Sequence, residues 1–307
     1  MLDRMSLLFR FQAITEAGSL RQAAERLNIT QPALSRSLAQ LEEAYGQPLL
    51  ERHARGVRPT SFGKRLLANI SRLTRDWELM ELDLASGGRL AEGLLRISAG
   101  PLWSAVVLPA AISELHRQYP NLVVELGHGR ADDLVLPALM EARIDVSFGG
   151  LQGAEQASDA LVVQEFTTVW DRVIARHGHP IQTRPPHDYA ALHDYPWIVY
   201  SNDPIYEAQT LHSIVERTGI SPRIRVRSNS LLAIMRLLRE GDYLCILPDA
   251  AIIGAMGNEL GPAPVDLGRR LTRTGAIYRS AIAGYPPLQE LLRICARFFD
   301  VRSVPQC

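Results

Sequence analysis

Two short helical patterns meet across a tight turn between Leu20 and Tyr45, and this stretch constrains the fold more than any other. The turn is Asn28-Ile29, after which Thr30 stands at an N-cap position and Pro32 in the first helical turn. Two helices joined so closely cannot lie parallel, and this arrangement presents the second helix to a DNA groove. Apolar residues recur at helical spacing in both patterns: Leu20, Ala23, Ala24 and Leu27, then Leu34, Leu38, Leu41 and Tyr45.

Polar side chains gather near the N-terminal end of the second predicted helix, at Gln31, Ser35 and Arg36. The apolar stripe is expected to face the core, which leaves these three exposed. Amide, hydroxyl and guanidinium groups are the kinds of group that read base edges and phosphates. The alternative interpretation is an ordinary solvated helix face.

This pattern resembles the helix-turn-helix of the LysR-type transcriptional regulators. A first helix fits Leu7, Leu8, Phe11 and Ile14, and Ala17-Gly-Ser-Leu20 follows, where Ser19 can cap the next helix. Residues 46–52 and 55–58 are similar to the family's wing, and residues 60–63 to the start of its linker helix. The chain departs from the family pattern at Leu50, where Phe is most common, and at Pro59, where Leu is common. The resemblance extends from about Met5 to the C-terminus and is specific in the first 65 residues.

The resemblance implies a winged helix-turn-helix that binds an inverted repeat in double-stranded promoter DNA. It also implies a homodimer or homotetramer that bends DNA, responds to a small-molecule effector and acts on RNA polymerase. The residues expected to contact DNA are Ser19, Gln31, Pro32, Ser35, Arg36, Arg52, Arg55 and Arg58. The first five lie at the helix-turn-helix, and the three arginines belong to the wing, on the backbone or in the adjacent minor groove.

The distribution of charge agrees with this interpretation. The net charge of the chain is zero. Through Arg75, twelve lysine and arginine residues stand against six acidic ones, which leaves +6 at the N-terminal end and −6 over the remainder. A basic end can bind phosphates while an acidic remainder avoids nonspecific adhesion to them.

After Gly63 the apolar spacing alternates between 4 and 3 residues, which is a heptad seam. The seam consists of Leu66, Ile70, Leu73, Trp77, Met80 and Leu84. It predicts a dimerising linker helix that ends at Ser86-Gly-Gly88. In such a dimer the two recognition helices are related by a twofold axis, so they would read DNA half-sites that lie one helical turn, or a multiple of it, apart. The alternative is a helix packed against its own effector domain.

From Gly93 onward, short apolar strands alternate with helical patterns, which indicates βαβ units and a mostly parallel sheet. Residues 161–165 and 169–176 are predicted as two strands that cross into a second lobe. The fold class is therefore α/β, with an N-terminal all-α winged helix-turn-helix and an effector domain of two α/β lobes that resembles periplasmic binding proteins. The expected domains are residues 1–63, a linker at 64–90, and the effector domain at 91–307, with lobe I at about 91–163 and 271–307 and lobe II at about 164–270.

A small ligand is expected between the lobes, where strands end and helix N-termini offer free N–H groups. The candidates are Trp103, Ser104, His128, Phe148, Gly149, Ser201, Asn202, Ser228 and Asn229. Trp103 is predicted in a loop after the first strand. The serines and asparagines could equally be helix caps, and His128 could be structural. An anionic effector and a neutral polyol or sugar-like ligand both remain compatible with these residues.

The sequence contains none of the common catalytic motifs. The chain has no G-x-S-x-G, no G-x-x-x-x-G-K-[ST] and no H-E-x-x-H motif, and the sequence predicts neither an enzyme nor a cofactor. His177-Gly-His179 is interpreted as a solvated loop rather than part of a metal site. The cysteines, Cys245, Cys295 and Cys307, lack C-x-x-C spacing, and inert buried thiols are expected.

Two other functions are alternatives. A simple ligand-responsive repressor would block a promoter without activating it, and an α/β enzyme with a DNA-binding anchor would need a nucleophile and base that were not identified. No apolar run approaches the roughly 20 residues of a membrane span, and no signal-like segment opens the chain, so a cytoplasmic, nucleoid-associated protein is expected.

Overall fold

A computed structural model describes most of the chain: residues 2–53, 56–85, 93–100, 102–127, 135–151, 159–186, 188–200, 204–219, 221–248, 259–265, 267 and 270–301. The chain forms two compact units. The first comprises Met1–Glu78 and Met140–Ala142, and the second comprises Leu79–Leu139 and Arg143–Cys307. The division after Glu78 falls within a single long helix.

The first unit is built from helices and a two-stranded ribbon. Its elements are α1 (Leu2–Ala17), α2 (Leu20–Arg26), α3 (Gln31–Tyr45), β1 (Leu50–His53), β2 (Gly56–Pro59) and α4 (Ser61–Ala85). The buried residues that join them are Phe11, Ile14, Ala23, Ala24, Leu34, Leu38, Leu41, Leu49 and Ile70. The alanines of α2 are fully enclosed because their small side chains let neighbouring helices approach, as their spacing predicted.

The second unit contains a seven-stranded sheet with the order β10-β6-β11-β5-β3-β4, and β9 also pairs with β6. A separate two-stranded sheet pairs β7 with β8. The strands are β3 (Gly93–Ala99), β4 (Leu122–Gly127), β5 (Val146–Gly150), β6 (Leu161–Arg176), β7 (Trp197–Tyr200), β8 (Ile224–Ser228), β9 (Cys245–Pro248), β10 (Leu260–Pro262) and β11 (Arg270–Arg279). The helices are α5 (Leu108–Gln118), α6 (Val135–Met140), α7 (Pro204–Thr218), α8 (Leu231–Glu240) and α9 (Pro286–Val301).

The prediction of a mostly parallel sheet is wrong in the second unit. Strands β3, β4 and β5 are parallel, but β6 pairs antiparallel with β9, β10 and β11, and β11 pairs antiparallel with β5. The sheet is mixed because two long strands, β6 and β11, run in opposite directions through its middle. The pattern of apolar residues predicts strands but carries no information on their direction.

The two strands predicted at 161–165 and 169–176 form one strand, β6, of 16 residues. The register of β6 against β11 shifts between Thr274 and Gly275, which pair with Thr167 and Glu165. Phe166 is therefore an extra residue, as in a β-bulge, and the alternation of side chains changes phase there. This local change explains why the sequence pattern suggested a break.

An aromatic cluster lies in the core around β3, β5, α5 and α9. Trp103 is 1% exposed, and its ring lies 4.9 Å from that of Phe148, 5.5 Å from Phe166 and 5.4 Å from Phe299. The indole Nε1 donates a hydrogen bond to Thr274 Oγ1 at 2.7 Å. The prediction of Trp103 in a loop is wrong, because residues Trp103–Val107 form a π-helical turn that leads directly into α5. Its side chain belongs to the core.

The prediction that His177-Gly-His179 is a solvated loop is wrong for His179, which is 1% exposed. Its Nδ1 accepts a hydrogen bond from Ile181 N at 3.0 Å, and its ring packs edge-on against Tyr195 at 4.5 Å. Burial lowers the pKa of His179 below its ordinary value. The imidazole is thus a cap for the short 3₁₀ turn Pro180–Thr183.

Two of the cysteines are buried thiols, as predicted. Cys245 lies in β9 and Cys295 in α9, in separate core clusters. Burial raises the pKa of both thiols to about 12, so neither is a thiolate at neutral pH. Cys307 lies outside the described residues.

Candidate nucleic-acid interface

Helix α3 begins where the sequence predicted. Thr30 has extended backbone, and its hydroxyl accepts a hydrogen bond from Ala33 N at 3.4 Å. Pro32 stands in the first turn, where a backbone N–H would have no acceptor within the helix, so the N–H that proline lacks is not needed. Helix α2 is capped in the same way by Ser19, which accepts from Gln22 N.

The two faces of α3 differ in burial. Leu34, Leu38 and Leu41 are buried, whereas Gln31 and Arg36 are exposed and Ser35 is half-buried. The predicted stripe ends earlier than expected, because Tyr45 is 42% exposed and rests on Phe62 with ring centroids 5.8 Å apart. The buried apolar face therefore orients α3 so that its polar N-terminal end is exposed to solvent.

A contact that the sequence analysis missed holds α1 to α3. Arg10 Nη1 donates to Ser37 Oγ at 2.6 Å, and Ser37 Oγ donates to Ala33 O at 3.0 Å. Ser37 is 4% exposed, so the hydroxyl group that connects the two helices is almost completely shielded from water. One signal was available: Ser37 falls on the buried side of α3, between Leu34 and Leu38, where a hydroxyl requires partners.

The ribbon after α3 has the form predicted for a wing. Strands β1 and β2 pair antiparallel from Leu50 opposite Pro59 to His53 opposite Gly56. The two residues that depart from the family pattern thus face each other at its base. Arg58 is exposed on β2, whereas the side chain of Arg52 and all of Arg55 lie outside the described residues.

The ribbon is attached to the turn between α1 and α2. Val57 N donates to Gly18 O at 3.0 Å. Gly56 has a φ of +129°, and a Cβ at this position would lie 2.3 Å from Gly18 O. Only glycine fits there, for both conformational and steric reasons. The ribbon is consequently held beside the start of α2, close to the capping residue Ser19.

The predicted seam on α4 divides into two parts. Leu66 and Ile70 pack into the core of the first unit, with Ile70 only 3% exposed. Leu73, Trp77 and Met80 are 47%, 58% and 44% exposed. We call these last three residues the exposed seam. The side chain of Leu84 lies outside the described residues.

The predicted effector residues fall into three groups. His128, Ser201 and Asn202 lie outside the described residues. Trp103 and Phe148 are core residues, at 1% and 0% exposure. The remaining four, Ser104, Gly149, Ser228 and Asn229, are exposed or half-buried.

Two of these four lie at neighbouring strand ends. Gly100 N donates to Phe148 O at 2.8 Å, and Ser104 N donates to Gly100 O at 2.9 Å, so the ends of β3 and β5 adjoin near Gly149. Thr274, which the sequence analysis missed, donates to Gly149 O at 2.8 Å. Its position on β11 is remote in sequence, and only the sheet pairing brings it here.

The other two adjoin the start of α8. Ser228 Oγ accepts a hydrogen bond from Ser230 N at 3.1 Å, and Ser230 Oγ caps α8 by accepting from Ala233 N at 3.3 Å. Both serines thus act as turn and cap residues, which was the alternative interpretation of their pattern. Asn229, between them, is exposed.

The described residues contain no group of three or more His, Cys, Asp and Glu side chains arranged to hold a metal ion. None of the helices in the described part of the chain is long and apolar enough to cross a membrane.

The matches to known protein families cover nearly the whole chain. Residues 5–64 match the family of bacterial regulatory helix-turn-helix proteins of the lysR type, and residues 88–300 match the LysR substrate-binding domain. The transcriptional regulator TdcA of Escherichia coli K12 is 25% identical over 250 residues, which are 81% of this chain and 78% of TdcA. The SDS degradation transcriptional activation protein of a Pseudomonas species is 29% identical over 250 residues, covering 80% of this chain and 79% of that protein.

Solved structures agree on the fold. Full-length CbnR in complex with its target DNA has a TM-score of 0.65 at 20% identity, covering 95% of this chain and 99% of CbnR. A full-length OxyR from Pseudomonas aeruginosa has a TM-score of 0.64 at 19% identity, covering 95% and 97%. The matching families are transcriptional regulators rather than enzymes. The chain therefore belongs to the lysR family of bacterial helix-turn-helix regulators, and it is a DNA-binding transcriptional regulator with an effector-binding domain.

Proposed function

We propose that this regulator binds an inverted-repeat promoter duplex with the N-terminal end of α3 in the major groove. Gln31, Ser35 and Arg36 would contact base edges there, with Pro32 and Ser19 beside the phosphate backbone. Arg58, together with Arg52 and Arg55, would contact the backbone or the adjacent minor groove. The observation that carries this proposal is the division of α3 into a buried apolar face and an exposed polar end.

The first test separates base reading from phosphate contact. Arg36→Ala is expected to reduce discrimination between a selected duplex and random DNA by about 5- to 150-fold, since a bidentate base contact contributes about 1–3 kcal/mol. Arg58→Ala is expected to weaken binding to both duplexes equally and to lower the salt slope by about one unit. Fluorescence anisotropy at several salt concentrations measures both quantities, with the selected duplex obtained by in vitro selection against the full-length protein.

The two arginine variants serve as controls for each other, because each removes one exposed guanidinium. Equal losses on selected and random DNA for both variants would contradict the assignment of Arg36 to a base edge. An unchanged salt slope for Arg58→Ala would remove that residue from the phosphate contacts.

We also propose that the exposed seam joins two chains into a homodimer, and that the dimers form a homotetramer on DNA. The 3.5-residue spacing of Leu73, Trp77 and Met80 keeps them on one side of α4. Exposed apolar side chains in such a stripe are typical of a partner surface. The protein would act in the cytoplasm at the nucleoid, where promoter DNA and RNA polymerase are found.

We further propose that a small-molecule effector binds between the two lobes of the second unit and changes DNA binding. Support comes from the match to a substrate-binding domain and from three polar residues near the ends of β3, β5 and β8: Ser104, Thr274 and Asn229. An effector can act as a switch only if it binds two arrangements of the protein with different affinity.

Thermal shifts of the full-length protein with carboxylates and with polyols of matched size test this proposal. A bound effector at 100 times its Kd stabilises the folded state by about 2.7 kcal/mol, which is a shift of several degrees. Asn229→Ala is expected to diminish this shift, whereas Ser221→Ala, at another exposed loop position, is expected to leave it unchanged. A ligand that stabilises both variants equally would exclude Asn229 from the effector site.

A further inference from the structure

A glutamate on the recognition helix reaches the base of the wing. Glu42 is half-buried on α3, and its Oε1 accepts hydrogen bonds from Leu49 N at 2.8 Å and Leu50 N at 3.4 Å. Leu50 is the first residue of β1 and pairs with Pro59, the last residue of β2. One carboxylate oxygen therefore joins the C-terminal half of α3 to the point at which the wing begins.

Leu49 is also bonded to the linker helix through its carbonyl group. Leu49 O accepts from Thr60 N at 3.0 Å, and Thr60 Oγ1 donates to Pro48 O at 2.8 Å. Thr60 Oγ1 in turn accepts from Gly63 N at 2.9 Å, in the first turn of α4. A Cβ at Gly63 would lie 2.2 Å from Leu49 O, so α4 passes this carbonyl at a distance that a larger residue would not allow.

The side chain of Leu49 is fully buried in the core of the first unit. Leu49 thus connects three parts of the unit. Its N–H is hydrogen-bonded to α3, its carbonyl is hydrogen-bonded to the residue before α4, and its side chain packs in the core. The segment between Gly46 and Leu50 has no regular structure that could hold its direction. The direction of the wing relative to α3 therefore depends on the bonds made by Leu49 and Leu50, together with the bond from Val57 N to Gly18 O on the other strand.

We infer that Glu42 is a positioning residue that couples the recognition helix to the wing. It does not face the groove, because its carboxylate is engaged with backbone N–H groups at the base of the wing. It acts through Arg58 by holding β2 at the distance and angle from α3 that a single duplex requires. The inference rests on the proposed contacts of Arg36 and Arg58 with DNA.

A double-mutant cycle between Glu42 and Arg58 tests this inference. Glu42→Ala is expected to weaken binding to the selected duplex by about tenfold or more, because hydrogen bonds to a charged acceptor are among the strong ones. In that background, Arg58→Ala is expected to cost less than in the wild-type background and to lower the salt slope less, since the wing keeps its bond to Gly18 but has lost its bonds to α3. In the wild-type background, Arg58→Ala retains its full effect.

Matched variants distinguish the positioning role of Glu42 from the effect of losing a negative charge and from the effect of misfolding. Glu43→Ala removes the neighbouring carboxylate, which is exposed, and is expected to leave affinity and the cycle unchanged. Glu42→Gln keeps an oxygen acceptor at the same reach and is expected to restore most of the affinity and the coupling to Arg58. If Glu42→Ala does not fold, Glu42→Asp, which is one methylene shorter, takes its place in the same cycle.

Additive losses from Glu42 and Arg58 variants, or wild-type affinity for Glu42→Ala, would overturn the inference. Failure of the proposed DNA contacts gives a different result, because Arg58→Ala would then leave the affinity and the salt slope unchanged even in the wild-type background.

Discussion

Leu73→Glu is expected to turn the full-length protein into monomers and to weaken its binding to an inverted-repeat duplex by about 10²- to 10⁴-fold. Leu73 is 47% exposed and belongs to the exposed seam with Trp77 and Met80. A glutamate in an apolar interface would have to lose its hydration without gaining a partner, which disfavours association. Separate monomers lose the effective concentration that links the second half-site to the first.

Sedimentation and anisotropy together measure this effect. Binding to a duplex with a single half-site is expected to stay unchanged, since Leu73 is not among the residues proposed to contact DNA. Leu232→Glu makes the same substitution at a leucine that is 69% exposed on α8, and it is expected to leave the mass of the dimer unaltered. A Leu73→Glu protein with the wild-type mass and affinity would show that the exposed seam is not the dimer interface.

Trp103→Ala is expected to lower the free energy of unfolding of the second unit by about 3–5 kcal/mol, as for other buried aromatic residues. The substitution leaves a cavity among the rings of Phe148, Phe166 and Phe299. These rings come from β5, β6 and α9, so the cavity opens where elements remote in sequence meet. Urea unfolding of the full-length protein, followed by far-UV circular dichroism, measures the loss.

Trp103→Phe is the matched variant, because it keeps an aromatic ring and removes the indole N–H. Thr274 Oγ1 would lose a donor but would still donate to Gly149 O, so no buried hydroxyl proton is left without an acceptor. The cost is expected to be well below that of Trp103→Ala. Equal costs for both variants would show that the hydrogen bond to Thr274, and not ring packing, is the main contribution of Trp103.

Local signals predicted the first unit in detail. Thr30 and Ser19 cap the helices that their positions indicated, and Pro32 lies in the first turn of α3. Helix starts are readable because a cap and its acceptor lie within three residues of each other. The bond between Glu42 and Leu49 was not predicted, because a carboxylate on a helix surface does not indicate which backbone groups it will meet.

The candidate effector site was less predictable. The two ends of β6 were predicted, but the sequence did not show that Trp103 turns into the core or that Thr274 lies beside Gly149. Those facts depend on which strands pair and in which direction. Antiparallel pairing of β11 with β5 brings Thr274 to Gly149 and Gly150, about 125 positions earlier in the chain.

The order of amino acids alone was enough to predict the helix-turn-helix, the wing, the family and the alternation of strands and helices in the second unit. Capping, turn chemistry and apolar periodicity act over a few residues, so the linear order of amino acids is enough to reveal them. Three features became apparent only in the folded chain: the mixed direction of the sheet, the division of the α4 seam into a packed and an exposed part, and the joining of the wing to α3 through Leu49. Each of these depends on contacts between segments whose approach is governed by the packing of the whole unit.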